Sequence, residues 1–515
     1  MTTPKFRVPA FQSIRLSKDP LPENHHLPSR EDLITEDLFG NEAGEDEDPE
    51  ILNSYFVEKT EFAAFYSPKS KFRVVRARKG LGKSALLRKS YLLQKAEDPD
   101  SIAIHVKGSD LIALQPLTAT TPNDLIYAWQ QRICSRINLE LGSRLKLAFS
   151  DDAITLVESA EVAGFKDRNI IGSLIDRLGR KIGKAELAKL SIVNPVSFLT
   201  RFADKTTHYV SVFIDDIDAT FINTDEERLR VSTFFSACRH LVNTVQGLII
   251  RASVRTDVWG LLRQFDESLD KCEQYMLDLR WSRNELTAIL CKKILAYFQR
   301  KFPASPFYTA LNVGECNFEI LSLVFSGAFK WGERYMSPDR PIQSLSSCRP
   351  RWAAQLCKMA AMRAYKRNST RISVGDVKDV ARAYGYARID DLYREHRHQA
   401  MHLERLIECF ATGPSIYATS HLLALIEQKI LHKFGTLEID GIAVTDSMQI
   451  AYFLFRIGFI NGTGRYLGPQ TEVIHFEDRP NLLTLELNPD DGLSWGIHVS
   501  YWAPLRIQSN PNQAE

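Results

Sequence analysis

Residues 77–84 read Ala-Arg-Lys-Gly-Leu-Gly-Lys-Ser, between an apolar run (Phe72-Arg73-Val74-Val75) and a helix-forming one (Ala85-Leu86-Leu87). A glycine-rich turn that opens a helix aims backbone N–H groups at an anion, and the helix dipole adds to the attraction. The spacing is that of a Walker A loop, in which Arg78, Lys79, Gly80, Leu81, Gly82, Lys83, Ser84 and Ala85 surround the phosphates of a nucleotide. Lys83 is placed to reach the β- and γ-phosphates, and the Ser84 hydroxyl to ligate Mg²⁺. Ala77 stands where the pattern usually has its first glycine, which is the mildest replacement available.

A second chemical cluster follows an apolar run. Val210-Ser211-Val212-Phe213-Ile214 ends in Asp215-Asp216-Ile217-Asp218, a Walker B arrangement. A parallel strand delivers its C-terminal end to the nucleotide crevice. Asp215 is therefore the expected Mg²⁺ ligand and Asp216 the expected general base for an attacking water, with Asp218 as its alternative. Aspartate is shorter than the glutamate common at that place, so a nucleotide-locked scaffold with little turnover stays open beside an ATPase. The run 248–254 ends at Arg255, where a cation can report the γ-phosphate. Arg349-Pro350-Arg351 opens a later helix, and Arg351, with Arg349 as the alternative, is the expected lid arginine. The expected catalytic set is thus Lys83, Asp216, Arg255 and Arg351.

These groups need elements to hold them. Strands are expected at 72–76, 102–106, 209–214, 247–254 and 275–279, with helices between them, which is the pattern of a parallel α/β sheet. A helix at 84–95 follows the phosphate loop, and Thr121-Pro122-Asn123-Asp124 caps another that runs to about residue 147. Residues 150–195 read as a helical insertion. Beyond residue 279 the periodicity turns helical: Leu286, Ile289, Leu290, Ile294 and Phe298 fall on one face. Further helices are expected at 351–365, from Ser373 onward, around 391–410, at 415–431 and at 447–457. Strands at 482–487 and 495–499 would then form a hairpin. The expected division is an acidic, largely irregular segment at 1–50, a P-loop core at 51–282, a helical lid at 283–385 and a winged-helix-like domain at 386–515.

Composition narrows the class. The 515 residues are 44% hydrophobic and 25% charged, which suits globular domains with substantial cores. The apolar runs are strand-sized and no apolar N-terminal stretch opens the chain, so neither a membrane span nor a secretory signal is expected. Eight cysteines lie scattered without a Cys-x-x-Cys pair, which argues against a zinc site or a disulfide framework and fits a reducing cytoplasm. Net charge is +2, yet residues 31–50 hold ten acids and no base, whereas 62–96 hold ten bases and no acid. A second all-basic stretch spans 340–371. The acidic block is expected as a mobile tail or linker, and the basic regions 69–95 and 340–371 as a candidate nucleic-acid surface. Residues 391–515 carry nine bases against fifteen acids, a poor balance for binding phosphate backbone.

The motifs together resemble the AAA+/STAND side of the P-loop ATPases, and specifically bacterial relatives of the origin-recognition ATPases. The resemblance rests on Arg78 to Ser84, on Phe213 to Asp218, and on Ser253-Val254-Arg255-Thr256-Asp257. It also rests on the stretch from Leu277 to Leu286, on Arg349-Pro350-Arg351, and on the closing Ser494-Trp495-Gly496-Ile497-His498-Val499-Ser500-Tyr501. It implies a sheet of order 5-1-4-3-2, a helical lid, a winged helix, ATP and Mg²⁺ as cofactors, and ATP-dependent switching or assembly. A protein partner or homo-oligomer is implied as well, with a separate effector in anti-phage defence or a mobile element as one setting. A DNA-binding initiator or loader is the alternative. Arg228, Arg230 and Arg239 are the candidates for an arginine finger. No motif in the chain distinguishes adenine from guanine.

Overall fold

The computed structural model describes residues 28–97, 102–113, 119–144, 195–204, 209–331, 334–464, 472–476, 478–484 and 492–508. The insertion expected at 150–195 lies outside them, Pro195 excepted. Five strands form the central sheet: β1 (Phe72–Ala77), β2 (Ile102–Lys107), β3 (Val210–Asp215), β4 (Leu248–Arg255) and β5 (Met276–Asp278). Every pairing is parallel, and the spatial order is β2-β3-β4-β1-β5, the order expected from the resemblance. β3 is buried along its whole length and β4 nearly so, because helices cover both faces of the sheet. One face carries the large core of Val212, Ile214, Ile250, Val254, Trp129 and Phe234. The other packs Val75, Ala77, Phe213, Leu86 and Leu87 against Phe62 and Phe65.

The register aligns the ends that matter. Ala77 faces Arg255 across β1 and β4, and Ile214 faces Ala252 across β3 and β4. The phosphate loop, Arg255 and the aspartates after β3 therefore leave the sheet side by side. The phosphate-loop helix spans Lys83–Glu97. The capped helix spans Pro122–Arg144, with the Asp124 N–H donating to the Thr121 hydroxyl.

The first lid helix, Arg283–Lys301, starts at a reciprocal cap. The Ser282 hydroxyl accepts the Glu285 N–H, while the Glu285 carboxylate accepts the Ser282 N–H at 2.7 Å. Such caps contribute about 0.5–2 kcal/mol. Its apolar face joins helices Asp339–Ser346 and Pro350–Lys366 in one core, to which Leu33, Leu38 and Phe39 also belong. The acidic block is thus packed, not a free tail: two short 3₁₀ turns (Glu31–Ile34 and Glu36–Leu38) lead to a helix at Pro49–Tyr55. Its isolated leucines and phenylalanine anchor it, a signal that the density of acids obscured.

The C-terminal part corrects several expectations. The helix expected around 391–410 is broken: one helix runs Val374–His396 and a short one Leu403–Glu408. Between them the Gln399 carbonyl leaves helical bonding and accepts the Asp440 N–H at 2.7 Å. The residues 416–418 expected to be helical form a strand, Ile416–Ala418, before helix Thr419–Ile426. The strand Ser494–Ile497 does not pair with 482–484; it lies between Ile460–Gly464 and Ile416–Ala418, and Glu472–Ile474 adds a fourth strand. Residues 482–484 are turn, with Leu482 and Leu483 buried in the domain core, and 485–487 lie outside the described residues. A further hairpin, Leu437–Ile439 with Ile442–Val444, turns at Asp440-Gly441, both at positive φ. The Asp-Gly pair carries that turn signal in the sequence. Among the described residues no helix is long and apolar enough to cross a membrane.

Candidate functional site

The phosphate loop has the backbone an anion cradle needs. Gly80 and Gly82 sit at φ +82° and +101°, where side chains are strained. Ala77 needs no such freedom, because it is the buried last residue of β1, and its carbonyl accepts from the Lys83 ammonium at 3.2 Å. This explains why alanine suffices there. Neighbouring segments grip the loop. Trp281 Nε1 donates to the Leu81 carbonyl at 2.7 Å, and the Arg351 N–H donates to the Gly80 carbonyl at 3.3 Å. Lys79, Ser84 and Ala85 join Gly80 to Lys83 in lining a cleft of about 330 Å³ between core and lid.

Asp216 and Asp218 line the same cleft, and Asp215 is buried at the end of β3. Asp215 Oδ1 accepts from the Ser253 hydroxyl and from the Asp216 N–H at 3.0 Å. Asp216 turns at φ +55°, a costly conformation for a non-glycine residue that its N–H bonds to Asp215 and Ser253 help to hold. Burial, then the charges of Asp215 and Asp218, push its carboxyl up to about 6; Lys83 opposes the shift and Glu45 adds to it. Gly108, at the end of β2, makes room for this turn, since a Cβ there would lie 2.4 Å from the Ile217 Cα.

Asp218 has a different employment. Its Oδ2 accepts both the Arg255 backbone N–H at 2.8 Å and Arg255 Nε at 3.2 Å. It anchors the β4 arginine, so the carboxylate named as the alternative base is engaged in an ion pair. Burial opposes the charge on Arg255, but Asp257, Asp218 and Glu395 together raise its pKa above the ordinary arginine value. Desolvation would raise the half-buried Asp257, but the charges of Arg255 and His396 hold it at about 2.

Of the two lid arginines, Arg351 lines the cleft and donates Nε to the Glu42 carbonyl at 2.9 Å. Arg349 is buried with its guanidinium 4.0 Å over the Trp352 ring. The pair follows two consecutive left-handed residues, Ser347 and Cys348. The Ser347 hydroxyl meets His498 Nε2 at 2.5 Å, so the C-terminal domain braces the turn that places Arg351.

Arg78 departs from its expected place. Its Nη2 donates to the Arg456 carbonyl at 3.2 Å, at the end of helix Ser447–Arg456. The end of a helix leaves carbonyls to be satisfied, and Gly458 opens the approach, since a Cβ there would lie 2.2 Å from Arg78 Nη1. Lys79 reaches in the same direction, 3.9 Å from Glu395. The arginine-finger candidates Arg228 and Arg230 pair with Asp225 and Glu227 of their own helix, each at 2.6 Å.

Sequence reasoning missed the opposite wall of the cleft. Glu42, Gly44 and Glu45 of the acidic segment line it, as do Leu52, Tyr55, Phe56, Val57, Ile289 and Lys293. Gly44 passes so near the phosphate-loop helix that a Cβ would lie 2.7 Å from the Ala85 Cβ. The basic blocks fare differently from the expectation of an open surface. Arg76 pairs with Asp278 and Glu273, Arg363 with Asp379, and Arg367 with Asp376. Lys69, Lys71, Arg340, Lys366 and Arg371 are exposed.

No protein-family model matches this chain, and no curated protein matches it. Among solved structures it is similar to the Aeropyrum pernix ORC2 protein in ADPNP-ADP complexes, at 11% identity over 78% of this chain and 83% of that one, with a TM-score of 0.37. It is also similar to the Aeropyrum pernix ORC1 protein in complex with DNA, at 12% identity over 87% of this chain and 93% of that one, with a TM-score of 0.32. Values this low transfer no residue role. The chain's own strand order, glycine turn and buried aspartates make its core an α/β P-loop NTPase core.

Proposed function

We propose that this protein is a Mg²⁺-dependent ATP-binding and ATP-hydrolysing switch of the AAA+/STAND type, with a winged-helix-like C-terminal domain. The carrying observation is the convergence of Lys83, Asp216, Arg255 and Arg351 on one cleft between sheet and lid. ATP phosphates lie along Gly80 to Ala85, where N–H groups and Lys83 meet their charge. The Ser84 hydroxyl and the Asp215 carboxylate are hard oxygen donors of the kind Mg²⁺ takes. Bound there, the ion would neutralise charge on the phosphate oxygens. Asp216 orients a water and accepts its proton, helped by a carboxyl that burial and neighbouring acids raise. Arg255, fixed by Asp218, and Arg351 approach the phosphates from the sheet and from the lid.

The protein acts through a partner, either further copies of itself or a separate effector, as in bacterial defence or mobile-element systems. The internal pairing of Arg228 and Arg230 argues against either as the arginine finger that one copy would offer another. An initiator or loader acting on DNA is less well supported, because many bases in the two basic stretches are bonded within the chain. Equilibrium binding of a fluorescent ATP analogue with Mg²⁺ tests the reading. Lys83→Ala is expected to abolish binding, and Asp216→Asn to keep binding while stopping phosphate release. Unchanged affinity in Lys83→Ala would overturn the phosphate-loop assignment.

A further inference from the structure

The cleft has two chemically different ends. One is the phosphate loop. The other is an apolar slot in which Leu52, Tyr55, Phe56 and Val57 face Ile289 and Lys293 of the first lid helix. A triphosphate held on the loop directs the rest of its nucleotide toward such a slot, whose apolar walls suit a flat base.

Lys293 is the unusual member of that wall. It is buried, and its ammonium lies 4.2 Å from the centre of the Tyr55 ring. One acceptor serves its three N–H donors among the described residues, the Phe39 carbonyl at 2.7 Å. Gly40 permits this approach: it turns at φ +66°, and a Cβ there would lie 2.6 Å from the Lys293 Nζ. An ammonium taken out of water needs acceptors to offset the loss of hydration. Purine rings carry in-plane nitrogen acceptors, and Lys293 lines the slot that such a ring would enter.

We propose that Lys293 is the base-contacting donor of this site, giving a hydrogen bond to a ring nitrogen of the purine. The proposal rests on the nucleotide reading given above. Burial, opposed mainly by the charge of Glu47, lowers the Lys293 pKa to about 8, while Lys358 adds to the lowering and Glu42 and Cys357 oppose it. The lysine accordingly carries its charge at neutral pH.

The test compares wild-type affinities for ATP and for its 1-deaza, 3-deaza and 7-deaza analogues, each of which replaces one ring nitrogen by C–H. The same series is measured with Lys293→Met, and inorganic tripolyphosphate serves as a base-free competitor. One deaza analogue is expected to bind wild type roughly ten- to a hundred-fold more weakly than ATP, the range of a charged hydrogen bond. Lys293→Met is expected to bind ATP and that analogue equally, while tripolyphosphate competes alike against both proteins. Should all three analogues match ATP on wild type, or the variant keep the discrimination, Lys293 would be only a strut for the Phe39 segment. If Lys293→Met fails to fold, Lys293→Gln is read in the same way, and a wild-type series in which no analogue is weakened overturns the proposal without any variant. Failure of tripolyphosphate to compete with wild type would instead count against the phosphate loop, and so against the underlying reading.

Discussion

Asp218 and Arg255 form one unit, so their substitutions are predicted not to add. Asp218 is 2% exposed and Arg255 15%, and the carboxylate accepts both the backbone N–H and Nε of the arginine. Asp218→Asn keeps an acceptor at that position but removes the charge. A hydrogen bond to a charged group is worth about 1.5–3 kcal/mol, which at about 1.4 kcal/mol per factor of ten is roughly a 10- to 150-fold effect. If that energy serves to aim Arg255 at the γ-phosphate, the single-turnover rate of phosphate release falls by about this factor at saturating ATP. Arg255→Ala removes the aimed group itself and falls at least as far. The double variant is then no slower than the slower single one, because the anchor has nothing left to hold. A general base behaves otherwise: its loss costs about 10²–10⁴-fold by itself, whatever Arg255 is doing. Measuring the four rates beside nucleotide affinities closes the cycle. Multiplicative losses in the double variant, or a dead Asp218→Asn beside a nearly normal Arg255→Ala, would make Asp218 the base and refute the anchor assignment.

Arg78→Ala should leave ATP affinity within about threefold, since the side chain bonds to the Arg456 carbonyl and is not among the residues that line the cleft, yet it loses a charged hydrogen bond of about 1.5–3 kcal/mol to the C-terminal domain. Hydrogen exchange in helix Ser447–Arg456 should then accelerate; unchanged protection there would show that Arg78 does not hold the domain. Acid should loosen the same junction. His396 is buried and His498 half-buried, and desolvation lowers them to about 4 and about 3, against Asp257, Glu395 and Gln399 for the first and with His475, Arg349 and Arg78 for the second. Below the unfolded value of about 6.5 the unfolded chain binds more protons than the native one, so stability falls as pH drops from there towards about 4, by about 1.4 kcal/mol per pH unit for each histidine. Denaturant titrations from pH 7 to 4.5 should show this slope, and a His498→Gln variant should flatten it. Equal slopes in the two proteins would refute the assignment.

The sheet and its chemistry were legible because they are local. A parallel strand buried on both faces reads as a mostly apolar run, and glycine, lysine and aspartate follow such runs at fixed spacings, so β1, β3 and β4 and their terminal groups could be placed without coordinates despite Arg73, Arg76 and Arg251 within them. The far wall of the cleft was not legible, since Gly44, Glu45 and Lys293 are remote in sequence and meet only through packing of the N-terminal segment on the lid. Register in the C-terminal domain failed for a related reason. The partners of Ser494–Ile497 come from residues 416–418 and 460–464, and short strands flanked by turn residues do not announce which non-local neighbour they choose.

Charge blocks misled most, and the reason bears on how the site works. The acids near the N-terminus read as a solvated tail, yet Asp32 takes a bond from Tyr297 and an ion pair from Lys301, and Glu47 accepts from Tyr55. The segment is therefore tied to the lid at one end and crosses the phosphate loop at the other, where the Glu42 carbonyl occupies Arg351 Nε. On the proposed reading, a γ-phosphate addresses that same guanidinium. An arginine binds phosphate more strongly than a neutral carbonyl, because both partners are then charged and the fork can engage two oxygens. Nucleotide arrival and the seating of the 40–47 turn thus act on one side chain, so the acidic segment, far from being an inert leader, is mechanically part of the lid.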